Sequence, residues 1–267
     1  MHEPFAPTPH AEVNTVLAYF LPRIQSLFGN HFIGMYLVGS LALGDFDPYR
    51  SDIDFVVVTD TDIGEDLFGS LQDIHTQFAA SNSSWADKIE AIYIPYPALR
   101  DTASNASHYP QMEKGTRLFR APLESGWVFH RITIRDHGAV VAGPEPRMLV
   151  DTINPQAVHS AAKEITGLWL EQAKNDPTWL PWLRQRDAQA FVILTLCRLL
   201  YSLATGSVAS KPRAAQWAQK AFEGPWATLI ERTLARQHEA GNITQNEEAE
   251  TLAFIQFTFE QSIRYTT

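Results

Sequence analysis

The stretch "GMYLVGSLALGDFDPYRSDIDFVVVTD", residues 34–60, contains two short apolar runs separated by a polar segment. Both runs are rich in β-branched and aromatic residues and are bounded by Gly or Asp, a pattern that predicts two strands at 32–38 and 53–59. The first strand ends at Gly39-Ser40, and the second begins with Asp52-Ile53-Asp54. The sequence therefore predicts a tight glycine turn facing two carboxylates at the mouth of a buried strand.

The rest of the first half predicts an α/β domain around these strands. Apolar residues at helical spacing predict a helix over 11–28, and a third strand is predicted at 88–95 with a helix over 64–80 before it. Residues 97–126 carry loop chemistry and predict a long, partly ordered crossing. The stretch "VFHRITIRDHGAVVAGPEP" is expected to close this domain.

The second half shows apolar periodicities near 3.6 residues and predicts an all-helical bundle. Proline near the start of several of these segments is typical of a first helical turn. We therefore predict an α+β protein, with an N-terminal α/β domain on a mixed sheet at 1–150 and a helical domain at 151–267. The predicted helices span 155–174, 187–204, 212–222, 226–239 and 247–264.

Composition excludes several classes of protein. The net charge is −9 with no basic stripe, which argues against a nucleic-acid partner. No run approaches the ~18 apolar residues of a membrane span. The N-terminus is not that of a signal peptide, and a single cysteine, Cys197, cannot form an intramolecular disulfide. We expect a cytoplasmic monomer.

The carboxylates have a chemical interpretation. Side chains alternate along a strand, so Asp52 and Asp54 point to the same side, where both can converge on Mg²⁺. Gly39-Ser40 offers backbone N–H groups and a hydroxyl for phosphate, and Glu90 adds an acid to the third strand. Taken singly, each feature is more often a solvated turn or an exposed strand face; the hypothesis depends on their joint pattern.

At these residues the chain resembles a known family. "GSLALGDFDPYRSDIDF" looks like the signature of the DNA polymerase β-type nucleotidyltransferase superfamily, and Glu90 falls where these enzymes carry a third acid. Within the superfamily, "VILTLCRLLYSLATGSVASKPRAAQWA" is similar to the C-terminal signature of the aminoglycoside (3'')(9) adenylyltransferases. That family confers resistance to streptomycin and spectinomycin.

The resemblance implies transfer of AMP from ATP to a hydroxyl, with release of pyrophosphate and two Mg²⁺ ions. It implies that Asp52 and Asp54 bind metal and that Gly39 and Ser40 hold phosphates. Glu90 is expected to be the general base, with metal ligation as the alternative. The helical domain is expected to close over ATP and the acceptor.

The resemblance also implies that Arg198 and Lys211 contact the triphosphate. The alternative for Arg198 is a salt bridge to a carboxylate in the bundle, and the alternative for Lys211 is a solvated lysine at a helix start. A cationic acceptor would need acids and aromatic faces, for which Trp179, Trp182 and Asp187 are candidates; core packing is the alternative for the tryptophans. The usual acid of the family does not align here without a one-residue shift. Two other functions therefore stay open: transfer to another metabolite or a protein side chain, and an inactive nucleotide-binding module.

Overall fold

The structure is a computed structural model that describes residues 6–100, 107–114 and 117–264. The chain divides into two compact units, Met1–Thr152 and Ile153–Thr267. The division falls two residues beyond the boundary predicted from the sequence. The strands lie in the first unit, and the helices of the predicted bundle lie in the second.

The first unit is built on a six-stranded mixed sheet in the order β5-β4-β3-β2-β1-β6. Only β2 and β3 are parallel among these described neighbours; the other neighbouring pairs are antiparallel. The elements are α1 (Ala11–Phe28), β1 (Phe32–Leu37), α2 (Gly39–Leu43), β2 (Ile53–Thr59), α3 (Glu65–Ala79), β3 (Ile89–Pro95), α4 (Tyr96–Arg100), β4 (His108–Met112), β5 (Phe119–Pro122), α5 (Trp127–His137) and β6 (Ala139–Ala142).

The two faces of β2 have different neighbours. Ile53, Phe55 and Val57 belong to the buried core that α1 and α3 complete on one side of the sheet. Because side chains alternate along a strand, Asp54 points to the opposite face. The parallel pairing of β2 with β3 needs a crossover connection, and the chain supplies it with α3. The hydrophobic pattern of β2 thus also decides which face carries its carboxylate.

The prediction of an irregular crossing over 97–126 is wrong for the described residues there. They contain α4 and the strands β4 and β5, which extend the sheet beyond β3. Pro110 explains why β4 escapes a sequence pattern, since a proline within a run argues against a strand. The parts of the crossing at 101–106 and 115–116 lie outside the described residues.

The described part of the second unit is helical, as predicted, and its central helix is the most buried. The helices are α6 (Pro155–Asn175), α7 (Trp179–Leu183), α8 (Arg186–Thr205), α9 (Lys211–Ala221), α10 (Pro225–Arg236) and α11 (Gln245–Arg264). By length and composition α8 could cross a membrane, contrary to the expectation that no segment would. Most of that helix is buried against the other helices of the unit, however, as in the core helix of a globular domain. The predicted α+β class is confirmed.

A cluster of charges anchors the start of α8. The buried Arg186 contacts the buried Glu247 at 3.5 Å, and its backbone N–H donates to the carbonyl of Gly241. Glu247 also pairs with Arg232 and Arg236. Since removing one partner of a buried ion pair leaves an uncompensated charge, this cluster holds the first turn of α8 strongly in place.

One buried histidine connects the helical layer of the first unit to its sheet. His75 of α3 lies in the core and its Nε2 is 2.7 Å from the hydroxyl of Tyr93 on β3. Burial lowers the pKa of His75 from 6.5 to about 4. The unfolded chain therefore takes up a proton at this residue between pH 6.5 and 4, whereas the folded chain does not.

Because only the unfolded chain binds this proton, we expect His75 to lower the free energy of unfolding by about 3 kcal/mol as the pH drops from 6.5 to 4. His75→Gln removes the titration while keeping a polar group near Tyr93. Urea unfolding of both proteins across this pH range measures the effect. The variant should be less stable at pH 7 but should show a flatter profile below pH 6.5; parallel profiles would contradict the assignment.

Candidate active site

A pair of hydrogen-bonded carboxyl groups lies at the centre of the candidate site. Asp54 on β2 and Glu90 on β3 are direct partners in the parallel register, and their side chains hydrogen-bond to each other. Burial, followed by the charge of Glu90, raises the pKa of Asp54 well above its usual range. Burial also raises the pKa of Glu90. Because two carboxylates are both acceptors, this bond requires one shared proton.

The third acid, Asp52, precedes β2 and has a different partner. Its negative charge helps to raise the pKa of both Asp54 and Glu90, so the three acids are neighbours. Its Oδ2 accepts a hydrogen bond of 2.7 Å from Nζ of Lys114. That bond is the main cause of a raised pKa for Lys114. Lys114 was not predicted, because a lone lysine in an irregular stretch carries no pattern.

The glycine turn lies directly against this pair. Gly39 has a φ of +59°, and a Cβ added there would come within 2.1 Å of Oδ2 of Asp54. The backbone N–H of Val38 donates to the carbonyl of Asp54 at 3.0 Å. Oγ of Ser40 is buried and has no hydrogen-bond partner among the described residues. Only glycine fits at position 39, and the adjacent hydroxyl is available for a ligand.

The donor chemistry of this cluster fits a hard divalent cation. Asp52, Asp54 and Glu90 offer carboxylate oxygens, the ligands that Mg²⁺ prefers. Within residues 6–100, 107–114 and 117–264, however, no three Asp, Glu, His or Cys side chains already stand in a metal-binding arrangement. Asp52 is engaged by Lys114, and Asp54 and Glu90 are engaged by each other. Binding a cation would require these side chains to exchange partners.

In the second unit, Arg198 and Lys211 lie close to the connection between α8 and α9. Nε of Arg198 donates to the carbonyl of Ala209 at 3.2 Å, two residues before Lys211. Lys211 is the exposed first residue of α9, and its Nζ is 5.4 Å from the ring centroid of Phe191. The two predicted cationic residues therefore belong to one region of this unit.

The three predicted acceptor residues differ in exposure. Trp179 is 6% exposed and packs against Trp182, as the core-packing alternative predicts, whereas Trp182 is 37% exposed. Asp187 is exposed in the first turn of α8, where its Oδ1 accepts from the N–H of Ala188. Phe191, one turn later, is 46% exposed and contacts Trp182. It was not predicted as a candidate, because its place in an apolar helix is typical of a core residue.

Two family models match the chain, one in each unit. Residues 17–110 match the nucleotidyltransferase domain, and residues 148–261 match the aminoglycoside adenylyltransferase C-terminal domain. The first match contains all three acids of the cluster but ends before Lys114. The second contains both cationic residues and the exposed aromatic residues.

Known proteins match over most of the chain. An aminoglycoside (3'')(9) adenylyltransferase of Rhizobium radiobacter is 27% identical over 230 residues, covering 82% of this chain and 81% of the relative. A spectinomycin 9-adenylyltransferase of Staphylococcus aureus is 23% identical, covering 79% and 80%.

A solved structure agrees in fold. The crystal structure of the spectinomycin adenyltransferase AAD(9) from Enterococcus faecialis with ATP and spectinomycin has a TM-score of 0.65 at 17% identity, covering 94% of this chain and 98% of that one. Both the sequence matches and this fold agree with the resemblance read from the motifs. The chain therefore resembles the nucleotidyltransferases over residues 17–110 and the aminoglycoside adenylyltransferases over residues 148–261.

Proposed function

We propose that this protein is an ATP-dependent O-adenylyltransferase, which moves AMP from Mg-ATP to a hydroxyl of an aminoglycoside-type antibiotic such as streptomycin or spectinomycin and releases pyrophosphate. The observation that carries the proposal is the carboxyl pair of Asp54 and Glu90 beside Asp52, directly against the Gly39-Ser40 turn. The names of the relatives support the acceptor class.

Glu90 is proposed as the general base. In the transfer, the acceptor oxygen forms a bond to the α-phosphorus, the bond from that phosphorus to the pyrophosphate oxygen breaks, and the hydroxyl proton must leave. A carboxylate with a raised pKa takes up a proton more readily than an ordinary one, and burial raises the pKa of Glu90. The proton that Glu90 shares with Asp54 must be lost first.

Asp52 and Asp54 are proposed as the residues that hold the divalent cations, with ligation by Glu90 as the alternative to its role as base. Two Mg²⁺ ions, when bound, would neutralise the triphosphate and lower the pKa of the acceptor hydroxyl. The chain's contribution is to present carboxylate oxygens from two neighbouring strand ends. Their backbones are fixed by the sheet, so the ligands are preorganised on rigid elements.

Each unit is proposed to supply its own phosphate-binding groups. Gly39 allows the backbone to approach closely, and the hydroxyl of Ser40 donates to a phosphate oxygen. Arg198 and Lys211 supply positive charge for the triphosphate, Arg198 through a planar guanidinium suited to phosphate.

The acceptor is proposed to contact Trp182 and Asp187, and the buried Trp179 packs against Trp182. An indole face and a carboxylate together suit a cationic ligand. The acidic net charge of the chain favours such a ligand and disfavours nucleic acid. A cytoplasmic location and a monomeric state complete the proposal.

Pyrophosphate release from Mg-ATP tests the function directly. The purified protein should release pyrophosphate only when streptomycin, spectinomycin or another aminoglycoside is added. Release that depends on one of these compounds would establish both the reaction and the acceptor class. Binding of Mg-ATP without release with any of them would move the acceptor to another hydroxyl compound or a protein side chain, or favour the inactive nucleotide-binding module. No binding of Mg-ATP would contradict the proposal.

Replacing the proposed base should separate chemistry from binding. Glu90→Gln should lower turnover by roughly 10²- to 10⁴-fold, because the proton acceptor is lost, while ATP binding measured by calorimetry is retained. Glu12→Gln is the matched control, since it makes the same change at an exposed acid of α1, which packs on the opposite face of the sheet, and it should keep turnover near that of the unaltered enzyme. Full turnover in Glu90→Gln would remove this residue from the base role.

Truncating the exposed indole tests the acceptor contact. Trp182→Ala should raise the acceptor KM roughly tenfold, in line with a desolvated cation–π contact, and leave the affinity for Mg-ATP unchanged. Ile263→Ala, which removes another exposed apolar side chain of the same unit, should change neither quantity. An unchanged acceptor KM in the tryptophan variant would leave Trp182 as a packing residue only.

A further inference from the structure

Lys114 is bound to the acidic cluster in a way that the proposed reaction leaves unexplained. Its Nζ is 2.7 Å from Oδ2 of Asp52. Its positive charge also acts on Glu90 and Asp54, where it partly offsets the rise in pKa that burial causes. One ammonium group therefore faces all three acids of the proposed metal and base positions.

The contact with Asp52 creates a competition. Mg²⁺ bonds to a carboxylate oxygen at about 2.0–2.1 Å, so a cation on Oδ2 would lie against the ammonium group already there. Two positive charges at such a separation repel each other strongly in a partly buried site. Only 17% of the Asp52 side chain is exposed, which limits screening by water. Asp52 therefore exchanges one cationic partner for the other.

Lys114 is free to make this exchange because its side chain is 62% exposed and carries no part of the core. A lysine has a long flexible stem with rotatable donors, and its ammonium can change partners without moving the backbone. A metal-bound nucleotide beside Asp52 would supply phosphate oxygens as new anionic partners for that ammonium. Lysine is well suited to bind phosphate as a point charge.

We propose that Lys114 competes with the divalent cation for Asp52 and passes to the phosphates of the nucleotide when the metal takes that oxygen. This inference rests on the proposed function, because it requires a metal and a nucleotide at the acidic cluster. Lys114 then has opposite effects on the two ligands. It weakens binding of the metal alone, and it strengthens binding of the nucleotide.

Two binding measurements on the full chain test these opposite effects without any acceptor. Mn²⁺ binding is followed by electron paramagnetic resonance, and binding of α,β-methylene-ATP at saturating Mn²⁺ is followed by calorimetry. Lys114→Gln should bind Mn²⁺ alone roughly tenfold more tightly and the nucleotide analogue roughly tenfold more weakly. Lys114→Arg, which keeps the charge, should stay near the unaltered protein in both.

Lys88→Gln is the matched control, because the ammonium of Lys88 contacts the carbonyl of Tyr49 and the ring of Trp85 instead of the acids. It should leave both affinities unchanged. The inference is overturned if Lys114→Gln shifts neither affinity, shifts both in the same direction, or behaves like Lys88→Gln. If the unaltered protein binds neither Mn²⁺ nor the analogue, the proposed function fails, and this inference fails with it.

Discussion

The parallel pairing of β2 with β3 is the constraint on which the rest of the first unit depends. This register makes Val56 and Asp54 the partners of Ile92 and Glu90, so that one set of backbone hydrogen bonds aligns both the apolar interior and the carboxyl pair. A slip of one residue would turn Asp54 toward the core formed with α1 and α3. The hydrophobic pattern thus protects the arrangement of the acids, although the acids contribute nothing to that core.

Holding three acids together is costly, and the first unit offsets the cost locally. Asp54 and Glu90 share a proton, and the ammonium of Lys114 balances Asp52. The second unit places its candidate residues by other means. The buried ion pairs of Glu247 fix the beginning of α8, and Ser210 caps α9 through a hydrogen bond from the N–H of Arg213. Asp54 and Glu90 are thus held by strands, whereas Lys211 lies at the start of a helix and Arg198 within one.

Much of this architecture was predictable from the sequence, since local patterns specify it. A short run of β-branched and aromatic residues predicted β2, and a helical periodicity predicted α1, each with the bounds observed. The joint pattern around Asp52 and Asp54 led to the acidic cluster. What escaped depends on contacts distant in sequence. The strand β4 contains a proline that local rules read as a breaker, and Lys114 gains meaning only from lying beside Asp52, 62 residues away in the chain.

Exposure was the least predictable property of the candidate acceptor residues. Trp179 and Trp182 belong to the same short helix, and only tertiary packing decides that one is buried and the other exposed. Phe191 shows the reverse case, in which an aromatic residue within an apolar helix faces solvent. A single sequence carries little information on such differences, because either residue type is compatible with either location.

The single cysteine has a practical consequence for spectroscopy. Cys197 lies inside α8, and burial raises the pKa of its thiol to about 12, so the reactive thiolate is scarce and inaccessible at neutral pH. The natural chain therefore behaves as a cysteine-free background toward maleimide reagents. Cysteines introduced at one exposed position in each unit would take fluorophores or spin labels selectively, and the distance between the units could be followed during turnover without altering α8.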